Sequence, residues 1–174
     1  FYRPLLYINM AAFNAGMRGN DIPYIFNTAM FQMFADIGGS GATLGLVIYI
    51  LLFSKRHDNR MIANISLFPS LMNINETVIF GMPIVFNPLL DIPFILAPLV
   101  TLTVGYFLIG VGFCPPVVIE VPWVMPPILY GFLVTGGNIY GAISHFICIC
   151  ISLLVYAPFI YIYERKQKKE EYIY

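Results

Sequence analysis

The stretch Asn73-Ile-Asn-Glu-Thr-Val-Ile-Phe-Gly-Met-Pro-Ile-Val-Phe-Asn-Pro88 decides the fold, because it is apolar enough for a membrane yet too broken for a plain lipid-facing helix. With Asn64 and Pro69 upstream, its amides, glycine and prolines free backbone groups that lipid cannot satisfy, so this backbone belongs inside protein or around a wet cavity. The expected form is a re-entrant hairpin over 61–88, two half-helices meeting near membrane depth, with Glu76 close to the tip. No Lys or Arg lies between Arg60 and Arg165 to neutralise that carboxylate. An ionisable side chain at the bilayer centre costs about 2.5–3.5 kcal/mol on insertion scales, which makes Glu76 a candidate functional residue. The structural alternative is a neutral or amide-paired glutamate that fastens the hairpin through Asn73 and Asn75.

Composition agrees with a membrane setting. Of the 174 residues, 59% are hydrophobic and 10% charged, against about 25% charged in a soluble domain. The nine basic and nine acidic residues cancel, which removes the case for nucleic acid as a partner. The expected class is an all-α membrane protein of spanning helices plus re-entrant helical hairpins. Residues 1–35 read as interfacial segments. A helix over 37–54 borrows the glycine-rich Asp36-Ile-Gly-Gly-Ser-Gly-Ala-Thr43 to reach the roughly 20 residues a bilayer requires. Spanning helices follow at 89–113 and 139–163, separated by a proline-dense broken element at 114–137, and a polar tail runs over 164–174.

The basic clusters Lys55/Arg56/Arg60 and Arg165/Lys166/Lys168/Lys169 are both placed on the cytoplasmic side by the positive-inside rule, so an even number of crossings separates them. The two spanning helices supply that number. Asp36 and Asp91 read as helix-start caps, Glu120 as an interfacial loop acid, and His145 as a packing histidine. Trp123, the sole tryptophan, is either an interface anchor or an aromatic platform for a sugar ring. Cys114, Cys148 and Cys150 read as small apolar fillers, and the last two point roughly 200° apart on a helix, which is no metal pair. Neither a metal site nor a cofactor motif is present, and any covalent chemistry must use a partner.

Asn73, Asn75 and Glu76 form a polar island suited to a ligand dense in hydroxyls, or to a transported ion or proton. The pattern Asn-Ile-Asn-Glu-x-Val-Ile-Phe-Gly-x-Pro-Ile-Val-x-Asn-Pro over 73–88 resembles the membrane-embedded IIC component of the bacterial sugar phosphotransferase system, lactose/cellobiose/diacetylchitobiose family. The blocks Asp36-Ile-Gly-Gly-Ser-Gly-Ala-Thr-Leu44 and Pro122-Trp-Val-Met-Pro-Pro127 resemble the same family in order and spacing. The resemblance implies inward carriage of a disaccharide, coupled to phosphorylation of its 6-hydroxyl by a soluble IIB partner carrying phosphocysteine, itself charged through IIA. It further implies that Glu76 holds that hydroxyl and takes its proton, that Trp123 lies in the sugar pocket, and that Asn73 and Asn75 supply polar lining. The implied location is the bacterial inner membrane, with 1–163 the C-terminal part of the IIC transport domain and 164–174 a cytoplasmic tail.

Thr77 stands where the family usually has proline. The family's Gly-Ile-His-Gly block precedes the region where this chain begins, and neither His57 nor His145 stands in its context. Opening on Phe1-Tyr-Arg-Pro4, the chain reads as a fragment or second part of a longer protein, expected to need a missing N-terminal half or a homologous protomer. Two further functions compete: a secondary carrier using Glu76 as its proton site, and a non-transporting remnant.

Overall fold

The computed structural model describes residues 3–82, 84 and 86–171, and among these all regular structure is helical. The helices are α1 Arg3–Asn14, α2 Thr28–Ala35, α3 Leu44–Phe53, α4 His57–Leu71, α5 Glu76–Gly81, α6 Pro88–Gly110, α7 Pro127–Val134 and α8 Ile139–Glu171. Single 3-10 turns occur at Gly19–Asp21 and Ser40–Ala42. The expectations for residues 1, 2, 83, 85 and 172–174 lie outside the described residues.

Among the described residues two single helices, α6 and α8, are long and apolar enough to cross a membrane. Only 28% of the apolar window in α6 and 33% of that in α8 is buried within the chain, so most of their oily surface must meet lipid or further protein. Helix α8 is the spine: α3, α6 and α7 all pack along it. Helix α3 comes close to α8 at Gly45, where a Cβ would collide with the Leu153 amide and the Ser152 hydroxyl. Small residues at such crossings let backbones touch without a side chain between them.

Helices α2 and α3 form a pair bent by 58° about the glycine-rich stretch. The expected helix over 37–54 therefore begins only at Leu44. Gly39 at φ +92° and Gly41 at φ +79° lie in left-handed backbone that glycine enters without steric cost, and this ends helical geometry. The carbonyls freed by the break are satisfied from the spine: Tyr156 Oη donates to Gly41 O at 2.7 Å and Ser152 Oγ to Ala42 O at 2.6 Å. Buried backbone needs such partners because an unpaired carbonyl away from water is costly.

The proline-dense stretch between α6 and α7 is largely extended chain rather than helix; its part around Cys114, Val117 and Val118 is buried, whereas Glu120 and residues 122–124 are exposed. Val117 O accepts from Asn9 Nδ2 at 3.0 Å and Asn27 Nδ2 at 3.2 Å, while Val118 N and Ile119 N donate to Val134 O. Two buried amides thus replace the ladder that proline forbids.

Other boundaries also differ from expectation. Helix α4 starts at His57 rather than near 61, and α8 continues to Glu171 through the segment expected as a tail. Charged Lys, Arg and Glu and neutral Gln are strong helix formers and simply prolong a helix already nucleated in the apolar part. Asp36 sits at the C-terminal end of α2 and caps no helix start. At α6 the cap is Asn87, whose side chain accepts from Leu89 N at 3.1 Å, with Asp91 in the first turn where the helix dipole favours an anion.

Candidate functional site

Helix α4 ends in a Schellman turn: Ile74 N donates to Pro69 O at 3.0 Å and Asn73 N to Ser70 O at 3.1 Å, with Asn73 at φ +59°. Asparagine is the residue after glycine that best tolerates this left-handed position. The turn reverses the chain into α5, so the hairpin tip carries Asn73, Asn75 and Glu76, the last being the first residue of α5.

The tip is bolted to the glycine-rich break. Asn73 Oδ1 accepts from Gly38 N at 2.9 Å, and Asn75 Nδ2 donates to Ser40 O at 2.6 Å and to Thr43 Oγ1 at 2.9 Å. A Cβ on Gly39 would lie 2.6 Å from Asn75 Cγ, so only glycine admits the amide. The third block joins through Asn73 Nδ2, which donates to Trp123 O at 2.7 Å. Asn73 is thus a staple across all three segments.

These segments enclose a cavity of about 300 Å³ lined by Asn73, Asn75, Glu76, Trp123, Asp36 and Ser40, and by Gln32 and Tyr130. Its size is at the lower end of small-molecule sites, roughly 300–1,000 Å³. All four candidate site residues named from sequence, Asn73, Asn75, Glu76 and Trp123, border this one space. Their environments differ. Asn75 is 5% exposed, whereas Glu76 is exposed and its carboxylate makes no hydrogen bond or ion pair among the described residues. The fastener role considered for Glu76 therefore passes to the two asparagines. Trp123 is 53% exposed and is held by its backbone carbonyl, which leaves the indole clear.

Sequence reading missed Gln32, Ser40 and Tyr130. Tyr130 Oη donates to Gln32 Oε1 at 3.2 Å, which fixes the amide and leaves its N–H₂ as a donor group. The polar Gln32 inside the apolar Thr28–Ala35 segment was the available signal.

Other singled-out residues fall elsewhere. Glu120 pairs with Arg3 at 3.4 Å, both well exposed, as a loop acid would. His145 is buried in α8 with its ring edge-on to Tyr130, centroids 6.2 Å apart, and so packs behind the cavity wall. Cys114 and Cys148 are buried fillers, but Cys150 is exposed, because two residues along a helix carry it to the opposite face. Among the described residues no cluster of His, Cys, Asp and Glu could hold a metal ion.

Residues 2–98 match the family model described as Phosphotransferase system, EIIC. The chain belongs to this family. This EIIC chain is 43% identical over 164 residues to the Lichenan permease IIC component of Bacillus subtilis (strain 168), covering 94% of the chain and 36% of that protein. It is 41% identical over 130 residues to the PTS system cellobiose-specific EIIC component of Lactococcus lactis subsp. lactis (strain IL1403), covering 75% and 26%. Its fold is similar to the crystal structure of the transporter ChbC, the IIC component from the N,N'-diacetylchitobiose-specific phosphotransferase system, with a TM-score of 0.90 at 37% identity. That likeness covers 97% of the EIIC chain and 38% of ChbC. The chain thus spans between 26% and 38% of the length of these relatives.

Proposed function

We propose that the cavity at the hairpin tip holds one end of a disaccharide, and that the chain, with the remainder of a full-length IIC component, carries this sugar inward as a IIB partner phosphorylates it. The supporting observation is the convergence of the 36–43, 73–76 and 122–130 segments on one polar cavity with an unengaged carboxylate, Glu76, and a clear indole face, Trp123. The names of the relatives support a β-linked disaccharide such as cellobiose or diacetylchitobiose.

In this reading Glu76 accepts a hydrogen bond from the sugar 6-hydroxyl and orients its oxygen toward the phosphorus of phosphocysteine on IIB, which IIA recharges. The O–P bond forms as the S–P bond breaks, the thiolate leaves with its electron pair, and Glu76 takes the hydroxyl proton. Phosphoryl transfer is mostly positioning and charge management, so an acid within hydrogen-bond reach is a sufficient protein contribution at the acceptor. Both basic clusters border one cleft, and by the positive-inside rule that face and the C-terminus are cytoplasmic in the inner membrane.

The test is Glu76→Gln in membranes carrying the chain within a complete IIC component, supplied with phosphorylated IIB. Loss of a general base typically costs about 10²–10⁴-fold, so sugar phosphorylation falls by at least about a hundredfold. Phosphorylation at the unsubstituted rate overturns the assignment.

A further inference from the structure

We infer that the cleft where α3 ends, α4 begins and α8 leaves its apolar segment is a binding site for the phosphate-bearing headgroup of an anionic phospholipid. The cleft has a volume of about 740 Å³. Lys55 and Arg56 approach it from the α3–α4 junction, and Arg165 and Lys168 from α8, so two clusters over a hundred residues apart in sequence face one space. The two acids on its walls offset only half of these cations. One of them, Glu164, is already engaged: its Oε1 accepts from Ser54 Oγ and, at 3.1 Å, from Asn59 Nδ2. Neither Lys55, Arg165 nor Lys168 forms an ion pair within the chain among the described residues. Helix α4 starts here at His57 without a side-chain cap, and its first turn already carries the second acid of the cleft, Asp58.

Charge alone would suit any phosphate. The walls discriminate. Phe53 is 59% and Tyr161 54% exposed beside the cations, and the Arg165 guanidinium lies 4.9 Å above the Tyr161 ring. Both α3 and α8 pass from apolar to charged sequence here, at Ser54-Lys55 and Glu164-Arg165, so the cleft sits at the level of the membrane boundary. An amphiphile with an anionic phosphodiester and acyl chains uses the cations and the aromatic wall together, whereas inorganic phosphate would leave that wall against water. Juxtamembrane cations attract anionic lipid in this way.

The measurement is lipid retention by the full chain in detergent, followed by native mass spectrometry, with phosphatidylglycerol, phosphatidylcholine and millimolar inorganic phosphate as separate probes. Phosphatidylglycerol is expected to be retained in clear preference to phosphatidylcholine. Lys55→Gln/Lys168→Gln, two exposed positions, should lower that retention by about fivefold for each lysine, roughly 25-fold together, and high salt should weaken it in the unsubstituted chain. Arg3→Gln, a cation outside the cleft, leaves retention unchanged. Equal retention of the two lipids, full retention by the double variant, or phosphate binding without lipid preference overturns the inference; the last identifies a soluble-anion site instead.

Discussion

Asn75 and Glu76 are adjacent and polar, yet they do opposite work. Asn75 is buried and spends its amide on Ser40 and Thr43, whereas Glu76 turns an unengaged carboxylate to the cavity. Asn75→Ala should cost about 1–3 kcal/mol of stability, because the Ser40 carbonyl and the Thr43 hydroxyl lose a buried donor. Glu76→Gln, at an exposed position with nothing to break, should stay within about 0.5 kcal/mol. Thermal unfolding of both variants in detergent checks the pair; equal losses would mean that Glu76 also fastens the hairpin. The sequence marks the three polar residues as one island in an apolar run, and that much was legible. Which of them face the cavity depends on partners some 35 residues away, Gly38 with Ser40 and Thr43, whose proximity no local pattern encodes.

Among the elements, α6 was the easiest to read, since 23 mostly apolar residues with Asn87 and Pro88 at the start leave few alternatives. The beginning of α3 was hidden, because Gly38 to Gly41 can continue a helix or break it, and the choice is made by α8. The spine supplies Ser152 and Tyr156 to the freed carbonyls and needs the bare backbone of Gly45 against it. Gly45→Val should therefore force α3 off α8 and destabilise the chain by about 1–3 kcal/mol, the usual cost of overpacking. The same substitution at Gly110, where a Cβ would meet nothing within 4 Å, is the control and carries only the small helix-propensity term. Comparing the two unfolding midpoints checks this, and equal midpoints would remove the close contact from the account. The end of α8 was misread for the converse reason: a run of charges looks like a solvated tail, but Lys, Gln and Glu extend a helix whose nucleation the membrane segment has already supplied.

At the scale of the whole molecule, the cavity belongs to no single element. It exists because a bent helix pair, a hairpin tip and an extended proline-rich strap meet beside one spine, and the same spine carries the cationic cleft at its charged end. The all-helical class and the three blocks could be read from sequence; their convergence and the strap could not, because the strap's order depends on Asn9 and Asn27 reaching Val117 from about ninety residues or more upstream. Trp123 is the sole tryptophan and lines this cavity, so the intrinsic fluorescence of the chain reports the site directly. The decisive measurement is a titration of that fluorescence with cellobiose and with diacetylchitobiose, made on the chain within a complete IIC component in which Trp123 is kept as the sole tryptophan. The account predicts a saturable change with at least one of them, its midpoint raised about tenfold or more by Glu76→Gln, which is a loss of roughly 1.4 kcal/mol. A flat trace with both sugars, or the same titration in the Glu76→Gln variant, would contradict it.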